Sequence, residues 1–511
     1  MPISTNTINN STIAAIATVN GNGGIGIVRL SGQKSLEIAK KIIRFKNGDK
    51  KEITPRFAHF CFLKTDEIND QAIVIYFKSP NSFTGEDVVE IQCHGNSLIS
   101  SLILKALIKN GASLAEPGEF TKRAFLNGKI DLSSAESVLD IINAESIAGV
   151  NMAFDGLSGV LREKIENLSN NIKTIIAELS AGIDYPEDDI IESSTQSAVE
   201  KITILKKKLK DLENSYNSGS YKKNGVRVAI IGSPNVGKSM LLNSLVGYER
   251  AIVSSKAGTT RDTIDASYNY KDVLFNIIDT AGIRDTKSNI ENLGIKRSKQ
   301  ILETADILLC VSEPNIEFNQ KIPDNKLHIF VKNKCDLECE RKNNTKCDTF
   351  TRSQTEFADK LTKNSTQKSG DFAQNSTKSD NILQESEEIA NSLTDSIRTQ
   401  KCQSALRTQK VSIDTSALTN KNIDLLKDKI FELTAGSVNT GGVALNNARH
   451  LSAVTQSIDA LNRAIDNFKN FSIECMLSDL NIAFTHLGSI TGTVATDAVV
   501  DEIFKNFCVG K

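Results

Sequence analysis

The chain has 511 residues, and at roughly 100 to 200 residues per domain this predicts about three domains and excludes a single small binding module. Lys plus Arg number 61 and Asp plus Glu 62, a formal net charge of −1, so no global excess draws phosphate backbones or anionic lipid, and any nucleic-acid surface must be local. No stretch approaches the ~18 apolar residues that cross a bilayer, and no charged start precedes the short N-terminal apolar run, which points to a cytoplasmic protein with no membrane partner.

In chain order, IGIVRLSG at 25–32, FAHFCFL at 57–63, QAIVIYF at 71–77 and VVEIQCHG at 88–95 read as strands, with helices at 34–43 and 97–109. They compose an α+β domain over 1–120. From 121 to 221 the period changes: Leu161, Ile165, Leu168, Ile172, Ile175 and Leu179 step by four and three, one apolar stripe down a long helix. Residues 222–435 differ again. The runs VRVAIIG, VLFNIID, ADILLCV, KLHIFVKN and VSIDTSA alternate with helical stretches, the pattern of a parallel sheet covered on both faces. Inside this region, 337–410 reads as a low-complexity insertion. Over 341–410 only 10 of 70 positions are Ile, Leu, Val or Phe, below the roughly 20% associated with disorder. NST and RTQK each occur twice there. The segment reads as a largely disordered loop with a local helix expected at 384–397, and a docking segment that folds on binding is the alternative. A second stripe follows in 436–511: Leu451, Val454, Ile458, Leu461, Ile465 and Phe468. An amphipathic helix cannot bury its own apolar face, and the simplest partner for one stripe is the other. The α/β domain is therefore inserted into a helical one. The nine cysteines are odd in number and include no CxxC pair, so most are expected to be reduced thiols.

The sharpest chemical signal is Gly232-Ser233-Pro234-Asn235-Val236-Gly237-Lys238-Ser239, which follows VRVAIIG and precedes the helix MLLNSLVG. Glycines there free backbone N–H groups to surround phosphate oxygens, and the helix N-terminus adds positive potential. Lys238 neutralises β/γ charge and the Ser239 hydroxyl binds Mg²⁺. Asn235, Val236, Gly237, Lys238, Ser239 and Met240 are thus the phosphate-side contacts. Asp279-Thr280-Ala281-Gly282 ends the strand NIID, where the carboxylate holds a Mg²⁺-bound water and the glycine N–H meets a γ-phosphate. Asn333-Lys334-Cys335-Asp336 ends IFVK. Its aspartate can accept from guanine N1–H and the exocyclic amine, a donor pair that adenine lacks. Ser416-Ala417-Leu418 offers backbone to the guanine carbonyl.

Four boxes in order, each at a strand's end, resemble the GTPase superfamily, with GTP as ligand. Ile283 follows DTAG, so the water-positioning glutamine of Ras-like proteins is absent. Upstream, Ser254, Ser255, Lys256, Ala257, Gly258, Thr259 and Thr260 form a switch segment in which Thr260 serves Mg²⁺ and γ-phosphate. With Asn235, the oxygens of 254–259 suit a monovalent cation where other GTPases place an arginine finger.

Beyond these boxes, GNGGIGIVRLSG, SFTGEDVVEIQCHG, AEPGEFTKRAFLNGKIDL, AGTTRD, DTAGIRD and the terminal Cys508-Val509-Gly510-Lys511 together resemble the tRNA wobble-uridine modification GTPase family, MnmE/TrmE. The resemblance covers nearly the whole chain outside 337–410. It implies a multidomain α/β plus α fold: an N-terminal α+β folate-binding-like domain that dimerises, a helical domain, and an inserted P-loop GTPase domain with a mostly parallel sheet. It implies K⁺-stimulated, Mg²⁺-dependent hydrolysis of GTP and a bound 5-formyl-tetrahydrofolate or related reduced folate. It also implies a homodimer that works on tRNA in a heterotetramer with the flavin- and NADH-dependent partner MnmG. Together they place an aminomethyl or carboxymethylaminomethyl group on the wobble uridine of certain tRNAs.

By position, Arg29, Glu90, Lys129 and Lys511 resemble the family's folate contacts. The chemistry agrees, since a glutamate tail suits Arg or Lys and a pterin's N–H groups suit a carboxylate. Asn235, Ser254, Lys256 through its carbonyl and Thr259 resemble the K⁺ ligands, and Ser239 and Thr260 the Mg²⁺ ligands. Glu291, twelve residues beyond Asp279, resembles a catalytic carboxylate that organises the attacking water; without the family it reads as an exposed helix glutamate. Cys508 stands beside the one-carbon site as a candidate for its chemistry, although a free cysteine is ordinarily a small buried hydrophobe. Two departures stand out: Ser254 replaces a frequent threonine, and the 337–410 insertion separates the base box from Ser416. A long loop adds little closure cost, so the insertion is expected to leave the base pocket open. The rival reading is a regulatory GTPase of ribosome assembly or stress signalling, its folate-like domain kept for dimerisation.

Overall fold

The computed structural model describes residues 11–19, 21–46, 52–184, 188–247, 266–279, 301–314, 316–319, 322–323, 326–337, 411–434, 444–470 and 472–510. The chain divides into two units, Met1–Asn224 with Asn439–Lys511, and Gly225–Val438. The first division falls at Asn224 against the expected 222, because a helix runs on to that point. The insertion at 337–410 lies outside the described residues apart from its first position.

The first unit opens with seven strands: β1 (Ile13–Ile16), β2 (Ile25–Ser31), β3 (Ile43–Arg44), β4 (Ala58–Lys64), β5 (Asn69–Phe77), β6 (Val88–His94) and β7 (Ser113–Leu114). They pair in the order β3-β4-β5-β6-β2-β1-β7, antiparallel except for β1 with β7. Period-two alternation sends Val28, Leu30, Val74, Val89 and Ile91 to one face, against Ile38 and Ala39 of α1 (Ser35–Ile42) and Ile103 and Leu107 of α2 (Ser97–Lys109). Asn96 starts α2 by accepting from the Leu98 and Ile99 amides at 2.8 and 3.4 Å, which satisfies two otherwise orphaned donors. Arg29 and Glu90 fall directly opposite each other on the other face of the sheet.

Helices follow: α3 (Glu119–Leu126), α4 (Leu132–Asn143), α5 (Ile147–Leu157), α6 (Val160–Asp184), α7 (Asp188–Asn214) and α8 (Tyr216–Asn224). The second unit then begins with β8 (Val226–Gly232) and α9 (Lys238–Val246). Its remaining strands are β9 (Ala266–Tyr270), β10 (Val273–Asp279), β11 (Ile307–Ser312), β12 (Leu327–Lys332) and β13 (Ser412–Asp414), and α10 (Ile423–Leu433) follows. The sheet order is β13-β12-β11-β8-β10-β9, parallel except for the β9–β10 hairpin. That hairpin turns on Lys271 and Asp272 at φ +48° and +66°, the left-handed pair that matches strand twist. Every residue of β11 is buried, as a central parallel strand requires.

The chain re-enters the first unit with α11 (Ala448–Asn470), α12 (Ile473–Thr491) and α13 (Asp497–Phe504). The two predicted stripes lie in α6 and α11 and share one core, but they are not each other's main partners. Instead α6 packs on α7 and α12, and α11 packs on the same two helices. The stripes therefore face each other across a four-helix bundle. Leu205, Leu209 and Leu212 of α7 and Leu480, Ala483 and Leu487 of α12 stand between them. Each fully buried Leu or Ile there contributes roughly 1.5–3 kcal/mol. The Phe468 side chain lies outside the described residues. Among the described residues no helix is long and apolar enough to cross a membrane.

Candidate functional site

Parallel strands in a doubly covered sheet expose their loops at the carboxyl edge, where ligands of such folds bind. The ends of β8, β10, β11, β12 and β13 share that edge, and β8 lies between β10 and β11. The phosphate loop therefore leaves the middle of the sheet. Asn235 and Gly237 adopt φ of +66° and +91°, which turns successive backbone N–H groups the same way, as an anion nest requires.

Gly237 is also fixed by a neighbour. A Cβ there would stand 2.4 Å from Asn333 Nδ2, and Asn333 is only 2% exposed. Asn333 Nδ2 donates to Val236 O at 3.0 Å, while Asn333 Oδ1 accepts from Ala417 N at 3.0 Å. One asparagine thus ties the phosphate loop to the 416–418 segment, which Ser244 of α9 also holds by donating to Ala417 O at 2.8 Å. Cys335 N donates to Thr415 O at 3.1 Å, and Lys334, at φ +67°, pairs with Glu313 at 2.7 Å. Ser416 is fully buried.

Asp336 Oδ1 is buried and has no hydrogen-bond partner among the described residues. A desolvated carboxylate oxygen without a donor is unfavourable by itself, so the geometry suits a ligand that brings N–H groups to it. Guanine does. Lys238 is 8% exposed and folds back to donate to Gly232 O and Ser233 O at 3.1 and 2.8 Å. Ser239 and Met240 are exposed in the first turn of α9, and Val236 is buried beneath the loop. Asp279 ends β10 with its backbone opposite Ile230. Its side chain, Ser254, Ser255, Lys256, Ala257, Gly258, Thr259, Thr260, Thr280, Ala281, Gly282 and Glu291 all lie outside the described residues.

Replacing Gly237 with Ala is expected to lower nucleotide affinity at least about tenfold, because a left-handed alanine and an overpacked contact each cost roughly 1–2 kcal/mol. Titration with a fluorescent GDP analogue measures this. An affinity unchanged within twofold would show that Asn333 can yield.

In the first unit, Arg29 and Glu90 are brought together as an ion pair, with Arg29 Nη2 and Nε 2.8 and 2.9 Å from Glu90 Oε1. The guanidinium also lies 5.8 Å from the centre of the Phe120 ring on α3. Lys129 is exposed and donates to Pro80 O at 3.1 Å, apart from that pair's own bonds. Lys511 lies outside the described residues, but a Cβ at Gly510 would stand 2.3 Å from Ile16 O, so the tail backbone seats on β1. Cys508 is exposed rather than a buried hydrophobe, contrary to the ordinary reading.

Two residues were missed in the sequence. Phe120 supports Arg29, and Arg123, 4% exposed, pairs with Glu86 and Glu119 at 3.1 and 2.8 Å. Their i, i+3 spacing in EFTKRAF was the available signal.

Residues 132–508 match the family model for the MnmE helical domain, and 12–129 that for the GTP-binding protein TrmE N-terminus. The tRNA modification GTPase MnmE of Clostridioides difficile is 36% identical over 512 residues, spanning 98% of this chain and 99% of that protein. Its counterpart in Thermoanaerobacter pseudethanolicus is 37% identical over 517 residues, again spanning 98% and 99%. Among solved structures, the G domain of the T. maritima FeoB iron transporter covers 41% of this chain at 20% identity and a TM-score of 0.22. With both family models matched and relatives aligned from end to end, the chain belongs to the MnmE/TrmE family of tRNA modification GTPases.

Proposed function

We propose that the chain hydrolyses GTP as part of tRNA modification, in a complex that adds an aminomethyl or carboxymethylaminomethyl group to the wobble uridine of certain tRNAs. The observation that carries this is the buried Asp336 carboxylate oxygen, without a partner among the described residues and three positions beyond the Asn333 that ties down the phosphate loop. Lys238 leaves its loop carbonyls for the β/γ-phosphates when nucleotide enters, and Ser239 with Thr260 holds Mg²⁺. Asn235, Ser254, Lys256 and Thr259 would hold K⁺, which would supply positive charge to the hydrolysis. Glu291 orients the attacking water.

Arg29, Glu90, Lys129 and Lys511 receive a reduced folate in the homodimer, with Cys508 at the one-carbon site and MnmG as the flavin- and NADH-dependent partner. The Arg29–Glu90 pair supports this, because it offers a cation and an anion side by side to a ligand that carries both donor N–H groups and carboxylates.

Nucleoside mass spectrometry of tRNA from a strain lacking the chain tests the reading. The expected result is loss of the modified wobble uridine. Unchanged wobble uridines would instead favour a regulatory GTPase. Turnover is expected to be at least about tenfold faster in KCl than in NaCl, and Glu291→Gln is expected to bind GTP normally while hydrolysing it about 100-fold more slowly, the scale of one lost catalytic group. Equal rates in the two salts would undo the K⁺ assignment, and normal turnover in the variant would remove Glu291 from the mechanism.

A further inference from the structure

The inserted unit is joined to the rest of the chain by two crossings, one leaving after Asn224 and one returning before Leu445. Within the first unit, both crossings are gripped by α4. Asp140 takes Lys223 Nζ on Oδ1 at 2.8 Å and Asn446 Nδ2 on Oδ2 at 3.4 Å. A single carboxylate therefore holds the outgoing and the returning chain together. One turn earlier, Glu136 accepts from Asn447 Nδ2 at 3.0 Å and from Arg449 Nε and Nη2 at 2.9 and 2.8 Å. The i, i+4 spacing sets both carboxylates on one face of the helix. The returning backbone is also seated directly on the helices that precede the exit. Leu445 N donates to Ser215 Oγ at 3.1 Å, and a Cβ on Gly219 would stand 2.0 Å from Leu445 O.

The adjoining face of α4 does something different. Leu132, Ala135 and Leu139 pack against Ala495, Val500, Phe504 and Phe507. Phe507 directly precedes Cys508, whose carbonyl accepts from Gly118 N at 3.4 Å, and Gly510 then lies on Ile16 and Ala17 at the end of β1. One rigid helix thus touches both crossings on one side and the root of the C-terminal tail on the other.

We propose that Asp140, supported by Glu136, is a positioning residue that couples the nucleotide state of the inserted unit to the placement of the Cys508–Gly510 tail on β1. The proposal rests on the reading of that unit as a GTPase. The two oxygens of Asp140 bind different crossings, so displacement of one crossing relative to the other breaks one bond and loads α4 asymmetrically. Packing on Phe504 and Phe507 passes that load to the tail, through side chains in continuous contact. Coupling of this kind changes an equilibrium by about 5–150-fold, and it is reciprocal: tail placement biases the nucleotide state by the same factor.

The test is the rate at which iodoacetamide alkylates Cys508 in the full chain, read by peptide mass, with GDP and with a non-hydrolysable GTP analogue. The exposed Cys475 on α12 is the internal control. In the wild type the two nucleotides are expected to change the Cys508 rate by about fivefold or more. In Asp140→Asn, and separately in Lys223→Met, the ratio falls to about one while both nucleotides still bind and GTP is still hydrolysed, with the GTP-to-GDP affinity ratio moving by no more than the coupling factor that is lost. A merely structural role for the pair would slow or speed alkylation equally with both nucleotides. Equal rates in the wild type with nucleotide bound, or an unchanged ratio in both variants, overturn the proposal and leave the GTPase reading intact. A chain that binds neither nucleotide, as titration of the same samples shows, sinks both.

Discussion

Asp336→Asn is expected to lower GDP and GTP affinity by about 100-fold or more and to turn the site toward xanthine nucleotides. The wild-type carboxylate can accept from guanine N1–H and from the exocyclic amine, two charge-assisted bonds of roughly 1.5–3 kcal/mol each. An amide keeps one acceptor and places a donor N–H₂ where the guanine amine donates, so one bond weakens and the other becomes a donor–donor clash. About 2.7 kcal/mol already corresponds to 100-fold. Xanthine carries a carbonyl in place of that amine, which accepts from the new amide, while its N1–H still donates to the amide oxygen. Adenine is rejected by the wild type because it lacks guanine's donor pair and turns an acceptor, N1, toward the carboxylate. Competition between GDP and XDP for the purified chain measures the switch. GDP affinity within about threefold of wild type would mean that the buried Asp336 oxygen, unpartnered among the described residues, does not face a base.

Much of this site was legible because its parts are local. GSPNVGKS and NKCD are short segments at the ends of β8 and β12, so each can be read within a few residues of sequence. The contact that binds them is not local. Asn333 reaches Val236 across 97 positions of sequence, and nothing in either segment foretells that Gly237 must be a glycine because of Asn333. The same holds for Phe120 beneath Arg29 and for the grip of α4 on Lys223 and Asn446, which join residues far apart in the chain.

In the fold, strong periodicity carried the reading. The stripe from Leu161 to Leu179 lies within α6 and the one from Leu451 to Ile465 within α11. Their pairing failed because amphipathicity says only that a face is buried, not against what. The intervening faces of α7 and α12 were needed to close the bundle. Four strands escaped: β3 and β7 are only two residues long, and β1 and β9 escaped for opposite reasons. In β1, IAAI, the residues are small and the run short, and in β9, ASYNY, polar residues hide an antiparallel edge pairing.

Glu136→Ala is expected to destabilise the first unit by about 3–5 kcal/mol, because it strands Arg449 and His450 next to a void where a buried carboxylate held both. Arg449 Nη2 lies 2.8 Å and His450 Nε2 2.7 Å from Glu136 Oε2, and His450 is 3% exposed on its side chain. Burial pushes the Glu136 carboxyl up, but the opposing pull of His450 and then Arg449 is larger in sum and holds it at about 2, below its usual 4.5. A carboxyl depressed in the folded state stabilises fully above its unfolded pKa and loses that contribution as pH falls through its folded one. The wild type should therefore lose this stabilisation between about pH 4.5 and pH 2, and the alanine variant, already without it, should show a shallower acid slope. Calorimetry of the full chain separates the units, since only the transition of the inserted unit rises with added nucleotide. The nucleotide-insensitive transition is the one expected to move. Glu136→Gln, which keeps the shape and some hydrogen bonds but not the charge, should fall between the two. A loss below about 1 kcal/mol, or an acid slope identical in wild type and Glu136→Ala, would place the cohesion of α4 with α11 in the apolar contacts of the bundle rather than in this buried pair.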